Sequence, residues 1–297
     1  MGLKVNTIKP VFNAVVSCAE KSAVKSGSIM SCVRPNPVNK LCTNKSFTFD
    51  DIYSVTRIKN GRLRIIPKFS NVNGKQLHSF EMPEYLYHVT NEEKMKLINA
   101  TRKIKVSENE QLPGIYLLDK ENFLKNYINV SDENYNLINS MIKHANDNNK
   151  SGNLVLIRIP TANLLKNGKM RIRTQEDFFY FQNKIRDLQK GLKQKHLLRM
   201  FKDDTIRNDL KKHIIDNRLM TNVEAETFFA EMKSKIHYGY GIEQFEKLEN
   251  NKAVEFIFNR DITPDLIKGI KIRKFSIDEC YNSDGTINIE KLRAIFE

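Results

Sequence analysis

The hydrophobic and polar positions of the chain change period several times, and these changes divide it into elements. Ser46 to Phe69 alternates, with Ile52, Val55 and Ile58 answered by Leu63 and Ile65 across Asn60-Gly61, which predicts a short β-hairpin. Tyr85 to Val89 reads as a strand, and Thr90-Asn91-Glu92-Glu93 after it has the form of a capping box opening a helix that runs to about Arg102. Pro113-Gly114 precedes a second strand, Ile115 to Leu118. A helix over about 120–128 follows, and another begins near Ser131 with Tyr135, Ile138, Met141, Ile142 and Ala145 on one face. Leu154 to Ile159 is an apolar run bounded by Ser151-Gly152 and Pro160, as expected of a central strand. From Thr174 the period becomes helical: Phe178, Phe181, Ile185, Leu188 and Leu192 recur at intervals of three and four, with further helices expected over about 203–216 and 222–236. Strands are expected again at Ala253 to Phe258 and near 270–275. The pattern is that of an α+β fold with strands at both ends of a helical middle, and no internal repeat is visible.

Composition narrows the class. Forty per cent of the 297 residues are hydrophobic, with 17 Phe and 10 Tyr, enough to bury a core and to exclude wholesale disorder. The longest apolar run, Leu154 to Ile157, is broken by Arg158, far short of the roughly 18–20 residues of a membrane helix, so no transmembrane segment is expected. A formal net charge of +14 favours nucleic acid, anionic lipid or acidic ligands as partners without choosing among them. Between Lys166 and Arg218, 15 Lys or Arg stand against seven Asp or Glu. Cys18, Cys32, Cys42 and Cys280 form no CxxC pair and read as reduced thiols rather than a disulfide framework or a zinc site.

Residues 1–46 are rich in Ser, Asn, Val and Lys and show little periodicity. Lys4, Lys9, Glu20 and Lys21 interrupt any secretory h-region, and Asn6 stands where an N-myristoylation signal has Ser or Thr. Two readings stay open for this segment: a flexible basic leader or export signal, or an irregular arm packed on the domain that occupies 47–297.

Three segments carry candidate chemistry. His88, in Tyr87-His88-Val89-Thr90, ends a strand at the start of a helix, where its ring can bond a ribose hydroxyl while the helix amides, Thr90 among the opening residues, face an anion; a structural histidine is the alternative. Gly114-Ile115-Tyr116, with Tyr127 near the end of the next helix, supplies two tyrosines able to converge on a flat aromatic ring, or to fill a core. Glu255, in Val254-Glu255-Phe256-Ile257-Phe258, is a carboxylate in an apolar strand, so it must be paired, lie at an edge or face a cleft.

In this order the segments resemble the His-Tyr-Glu, diphtheria-toxin-like branch of the ADP-ribosyltransferase superfamily, over about residues 84–275. The resemblance implies a split, strongly curved β-sheet with NAD in the cleft between its halves and, here, a helical insertion over about 175–250. It implies that His88, with Thr90 and Gly114 nearby, binds the nucleotide, that Tyr116 and Tyr127 sandwich the nicotinamide, and that Glu255 bonds the 2′-hydroxyl of the nicotinamide ribose and catalyses transfer of ADP-ribose to a macromolecular acceptor. All four of His88, Tyr116, Tyr127 and Glu255 would then surround one cleft. Arg102 and Lys103 could neutralise the pyrophosphate or simply be solvated.

Ala253 stands two residues before Glu255, where arginine-modifying relatives carry an acidic or amide residue, and no Ser-Thr-Ser strand is present; both features argue against arginine as acceptor. Leu154 to Ile157, Gly168-Lys169-Met170, Thr174 and Phe178 to Phe181 look like the layout of enzymes that modify thymidine in DNA. The leader favours a host protein as acceptor and a bacterial effector or toxin secreted into the host cytoplasm, with DNA as the alternative acceptor and an otherwise cytoplasmic location. Two readings from other classes remain: a non-catalytic basic nucleic-acid-binding module whose core holds these four residues, and a relative of RNA 2′-phosphotransferases, which needs a more Arg-rich pocket. In His237-Tyr238-Gly239-Tyr240-Gly241, Tyr238 and Tyr240 belong either to an acceptor loop or to a glycine-rich turn.

Overall fold

Asn60 and Gly61 both take positive φ, 62° and 67°, the conformation a two-residue turn of the mirror-image type requires. The turn joins β1 (Tyr53–Arg57) to β2 (Arg62–Pro67) as the alternation predicts. A computed structural model describes residues 47–106, 113–126, 131–132, 135–136, 152–193, 195, 197, 199–263 and 271–296. The expected leader, Tyr127, Cys18, Cys32, Cys42 and most of the helix expected from Ser131 lie outside the described residues.

After β2 come a small hairpin of β3 (Asn71–Val72) and β4 (Lys75–Gln76), then β5 (Phe80–Pro83), which completes a three-stranded sheet of order β1-β2-β5. The main sheet is built from β6 (Tyr85–Asn91), β7 (Ile115–Leu118), β10 (Asn153–Pro160), β11 (Met170–Thr174), β12 (Tyr240–Gly241), β13 (Val254–Phe258) and β14 (Lys271–Ser276). Between them β8 (Ser131–Asp132) pairs with β9 (Tyr135–Asn136), where a helix was expected to start. The main sheet has seven antiparallel strands in the order β12-β11-β13-β7-β6-β10-β14. The fold is α+β, and strands lie on both sides of a helical segment, which β11 and the short β12 flank.

One junction differs from the rest. β10 pairs with β6 over seven positions, from Leu154↔Asn91 to Pro160↔Tyr85, whereas β6 meets β7 at a single position, Tyr87↔Leu118. The sheet is therefore ladder-bonded in two halves, β12-β11-β13-β7 and β6-β10-β14, that part at a seam.

Alternation along the strands feeds two cores. Leu86, Ile115, Leu117, Val155, Ile157, Ile172, Val254, Phe256 and Phe258 pack on one side. Tyr87, Leu118, Leu154, Leu156 and Phe275 pack on the other against Phe123, Leu292, Ile295 and Phe296, the last three from the C-terminal helix Ile289–Phe296. A third cluster belongs to the helices Gln175–Leu188, Arg199–Lys202, Asp204–Asp216 and Asn222–Met232, with Phe181, Ile185, Leu210, Phe228 and Met232 at its centre. Leu192 falls beyond the first of these helices and is exposed. The last becomes a π-helix over Lys233–Tyr238 instead of ending at 236. The helix Glu92–Thr101 starts one residue later than the Thr90 box implied: Asn91 is its cap, the Oδ1 atom accepting the Lys94 N–H at 2.8 Å. Among the described residues no helix is long and apolar enough to cross a membrane.

Candidate functional site

Cross-strand partners share a face of a sheet, so the register fixes what stands beside what. Arg173, Glu255, Leu118 and Tyr87 form one row across β11, β13, β7 and β6, and Arg171, Ile257 and Tyr116 form the neighbouring row on the same face. Tyr116 and Glu255 thus lie on one side of adjacent strands, and Arg171 and Arg173 of β11 stand on the same face.

Glu255 is held firmly. Arg173 donates from an Nη atom to Glu255 Oε2 at 2.6 Å, and Gln175 donates from Nε2 to the same oxygen at 3.2 Å. The two side chains of the ion pair are only 8% and 13% exposed, a site in which an unpaired carboxylate would be costly. Both donors use Oε2; Oε1 accepts no hydrogen bond from the described residues. The Arg173 guanidinium also lies over the rings of Tyr116, at 5.4 Å, and Phe178, at 5.0 Å. Of the three placements open to Glu255 from sequence, the structure gives a paired carboxylate in an interior strand.

The turn from β11 into the helix Gln175–Leu188 fixes this group. Thr174 caps the helix, and its hydroxyl also bonds Asp177 Oδ2. That oxygen takes the Tyr240 hydroxyl at 2.8 Å as well, while Lys235 and Lys252 lie 3.7 Å from the carboxylate. Burial works against ionisation of Asp177, but the two hydroxyls and the two lysines outweigh it and hold the group below its usual range. Burial, and then the bond to Asp177, push the Tyr240 phenol up. Glu176 accepts the Ala253 N–H at 2.8 Å, tying the helix start to the entry of β13.

The other expected residues fall differently. His88 follows Tyr87 and so leaves β6 toward the opposite face, but its Nδ1 lies 3.0 Å from the Tyr116 carbonyl oxygen, which sets the ring in the seam between β6 and β7. A carbonyl can only accept, so Nδ1 carries the proton. Thr90 is 3% exposed, opposite Val155 in the β6–β10 ladder. Lys103 pairs with Asp261 at 3.2 Å. Tyr127 lies outside the described residues. The structure thus joins Tyr116, Glu255 and, through the Tyr116 backbone, His88; it does not bring Thr90 to the same face.

Gly114 has a packing reason of its own. A Cβ there would sit 2.4 Å from Ile257 Cγ2 and 3.3 Å from the Phe258 carbonyl oxygen, so the chain can pass this close to β13 only without a side chain. We expect Gly114→Ala to cost about 1–3 kcal/mol, the usual range for overpacking, read from urea unfolding. An unchanged midpoint would show that β13 yields to the methyl group.

The sequence alone does not single out Arg173 and Gln175, because a cationic 166–218 stretch has the form of a solvated surface. The signal was available: Arg171-Ile172-Arg173-Thr174 alternates with period two immediately before a helix cap. Among the described residues, no group of three or more His, Cys, Asp or Glu side chains is arranged to hold a metal ion. Compared with models of protein families, with curated proteins and with solved structures, the chain matches none.

Proposed function

We propose that the chain is an NAD-dependent mono-ADP-ribosyltransferase with a split-sheet domain of that superfamily's type. On this reading it acts as a bacterial effector on a macromolecular acceptor, a host protein first, and works in the host cytoplasm. The observation that carries the reading is the state of Glu255: one carboxylate oxygen anchored by Arg173 and Gln175, the other without a hydrogen bond from the described residues, beside an aromatic ring at the edge of a seam.

These residues suit a ligand that combines a flat ring with ribose hydroxyls. NAD supplies an activated glycosidic bond: its cleavage leaves the bonding electron pair on nicotinamide, puts positive charge on the ribose, and lets an acceptor nucleophile bond that carbon with loss of a proton. Glu255 Oε1 takes the ribose 2′-hydroxyl and opposes the developing charge, and the fixed Oε2 means that little reorganisation is needed. Tyr116 gives one wall of the nicotinamide slot; Tyr127 supplies the other wall under the family resemblance. His88 holds the seam side of the nucleotide.

The test begins with binding. A ligand that binds only the folded state adds RT ln(1 + [L]/Kd), about 2.7 kcal/mol at a hundredfold excess over Kd, so NAD is expected to raise the melting temperature by several degrees. An unchanged melting temperature at millimolar NAD overturns the reading in favour of a binding module. With NAD labelled in its adenylate half and a cell lysate, the label is expected in a polymer that protease removes and nuclease does not.

A further inference from the structure

Arg171 shares its face with Arg173 but not its circumstances. No carboxylate among the described residues pairs with it, and its Nε is buried without a hydrogen-bond partner. The chain folds back over it: Arg171 pairs with Gly241 in β12, and a Cβ on Gly239, which takes φ 68°, would lie 3.5 Å from Arg171 Cδ and 2.4 Å from the Ile172 carbonyl oxygen. That return is made by the π-helix Lys233–Tyr238, a form that inserts one residue into a helical turn and recurs at functional sites.

The π-helix delivers His237 to this place. Its Nδ1 is also buried without a hydrogen-bond partner among the described residues, and its ring packs on Phe201 at 5.4 Å. Burial, then the charges of Arg171 and Lys233, hold its pKa below the usual value. Lys233 lies 5.7 Å from the centre of the Tyr238 ring, which is 60% exposed. The carboxylates nearby are engaged elsewhere: Asp177 by Tyr240, Lys235 and Lys252, Glu231 by Lys235 at 2.7 Å, Glu255 by Arg173, and Glu243, which lies against Gly241, by Lys75 at 3.3 Å. Two buried nitrogens on cationic or protonatable side chains therefore lie on adjoining elements, β11 and the π-helix, with no hydrogen-bond partner and no paired carboxylate among the described residues, an arrangement that an anion would complete.

We propose that Arg171 and His237 form a subsite for one phosphate group carried by the acceptor. A guanidinium fork, an imidazole and the Lys233 ammonium together supply more donors than the two oxygens of a carboxylate can take, and a phosphate has the oxygens to accept them. The assignment to the acceptor rests on the transferase reading. If the nucleotide runs from His88 in β6 past Tyr116 in β7 to Glu255 in β13, the next strand, β11, lies beyond the bond that breaks.

The probe is inorganic phosphate, titrated into the full chain while the His237 imidazole Cε1–H resonance is followed, with and without saturating NAD. A saturable shift is expected. Arg171→Gln should weaken phosphate binding about 10–100-fold, the worth of a charge-assisted bond, and His237→Gln should weaken it measurably. Both variants should melt near the wild-type temperature, because among the described residues neither side chain has a hydrogen bond or ion pair to lose; the ring contacts of His237 with Phe201 and Tyr238 are the aromatic packing among the described residues that the substitutions disturb. A resonance that does not move overturns the subsite, and so does binding that survives both substitutions. Phosphate that competes with NAD overturns its assignment to the acceptor. If NAD itself fails to bind, the transferase reading falls, while the phosphate titration still tests the subsite on its own.

Discussion

Glu255→Gln is expected to lower ADP-ribosyl transfer about 10²–10³-fold, the usual cost of removing one preorganised electrostatic contact, while NAD binding persists. The substitution keeps the shape of the side chain and an oxygen that still accepts from Arg173, but it removes the charge that opposes the cation on the ribose. An interaction made mainly in the transition state appears in kcat and kcat/KM together, with little change in NAD affinity. The measurement is nicotinamide release under single-turnover conditions, with the NAD-induced melting shift as the binding control. Turnover within threefold of wild type would remove Glu255 from catalysis and leave it a structural partner of Arg173.

Arg173→Met should destabilise the domain by about 3 kcal/mol, the lower end for breaking a buried pair, because Glu255 keeps 13% exposure and its bond to Gln175. In a domain of this size that is a fall of roughly 6–12 °C in Tm. The loss comes mostly from a carboxylate stranded among apolar neighbours and only partly from the missing attraction, so the double variant Arg173→Met/Glu255→Leu is expected to recover most of it. Urea unfolding of the two single variants and the double variant gives the coupling. If the double variant is no more stable than Arg173→Met, the contacts with Tyr116 and Phe178, and not the ion pair, are what Arg173 contributes.

Much of the fold was legible because its signals are local. The Asn60-Gly61 turn, the β6 and β13 runs and the helical period from Thr174 each depend on a few nearby residues, and each formed within a residue or two of the expected place. Glu255 and Tyr116 stood out for the same reason: a polar residue inside an apolar strand is conspicuous wherever the strand ends up. Arg171 and Arg173 were not legible. Whether a cation on an alternating strand faces solvent or a neighbouring carboxylate depends on which strand lies beside it, and β11 comes to lie beside β13 across a separation of some 80 residues. The seam is likewise a property of pairing between distant strands. His88 could be singled out, but the Tyr116 carbonyl as its partner could not.

That seam has a mechanical consequence. Hydrogen bonds of a ladder are directional and resist sliding, whereas apolar side chains in contact tolerate small displacements at little cost. Across β6 and β7 the two halves of the sheet are joined by one ladder position, by the His88 bond to the Tyr116 carbonyl, and by the cores on either side, which draw residues from both halves. Each half is ladder-bonded from strand to strand, whereas at the seam the His88 bond to the Tyr116 carbonyl stands beside a single ladder position. Tyr116 and Glu255 both belong to the β12-β11-β13-β7 half, so a displacement at the seam carries the two together, their spacing set by the β7–β13 ladder.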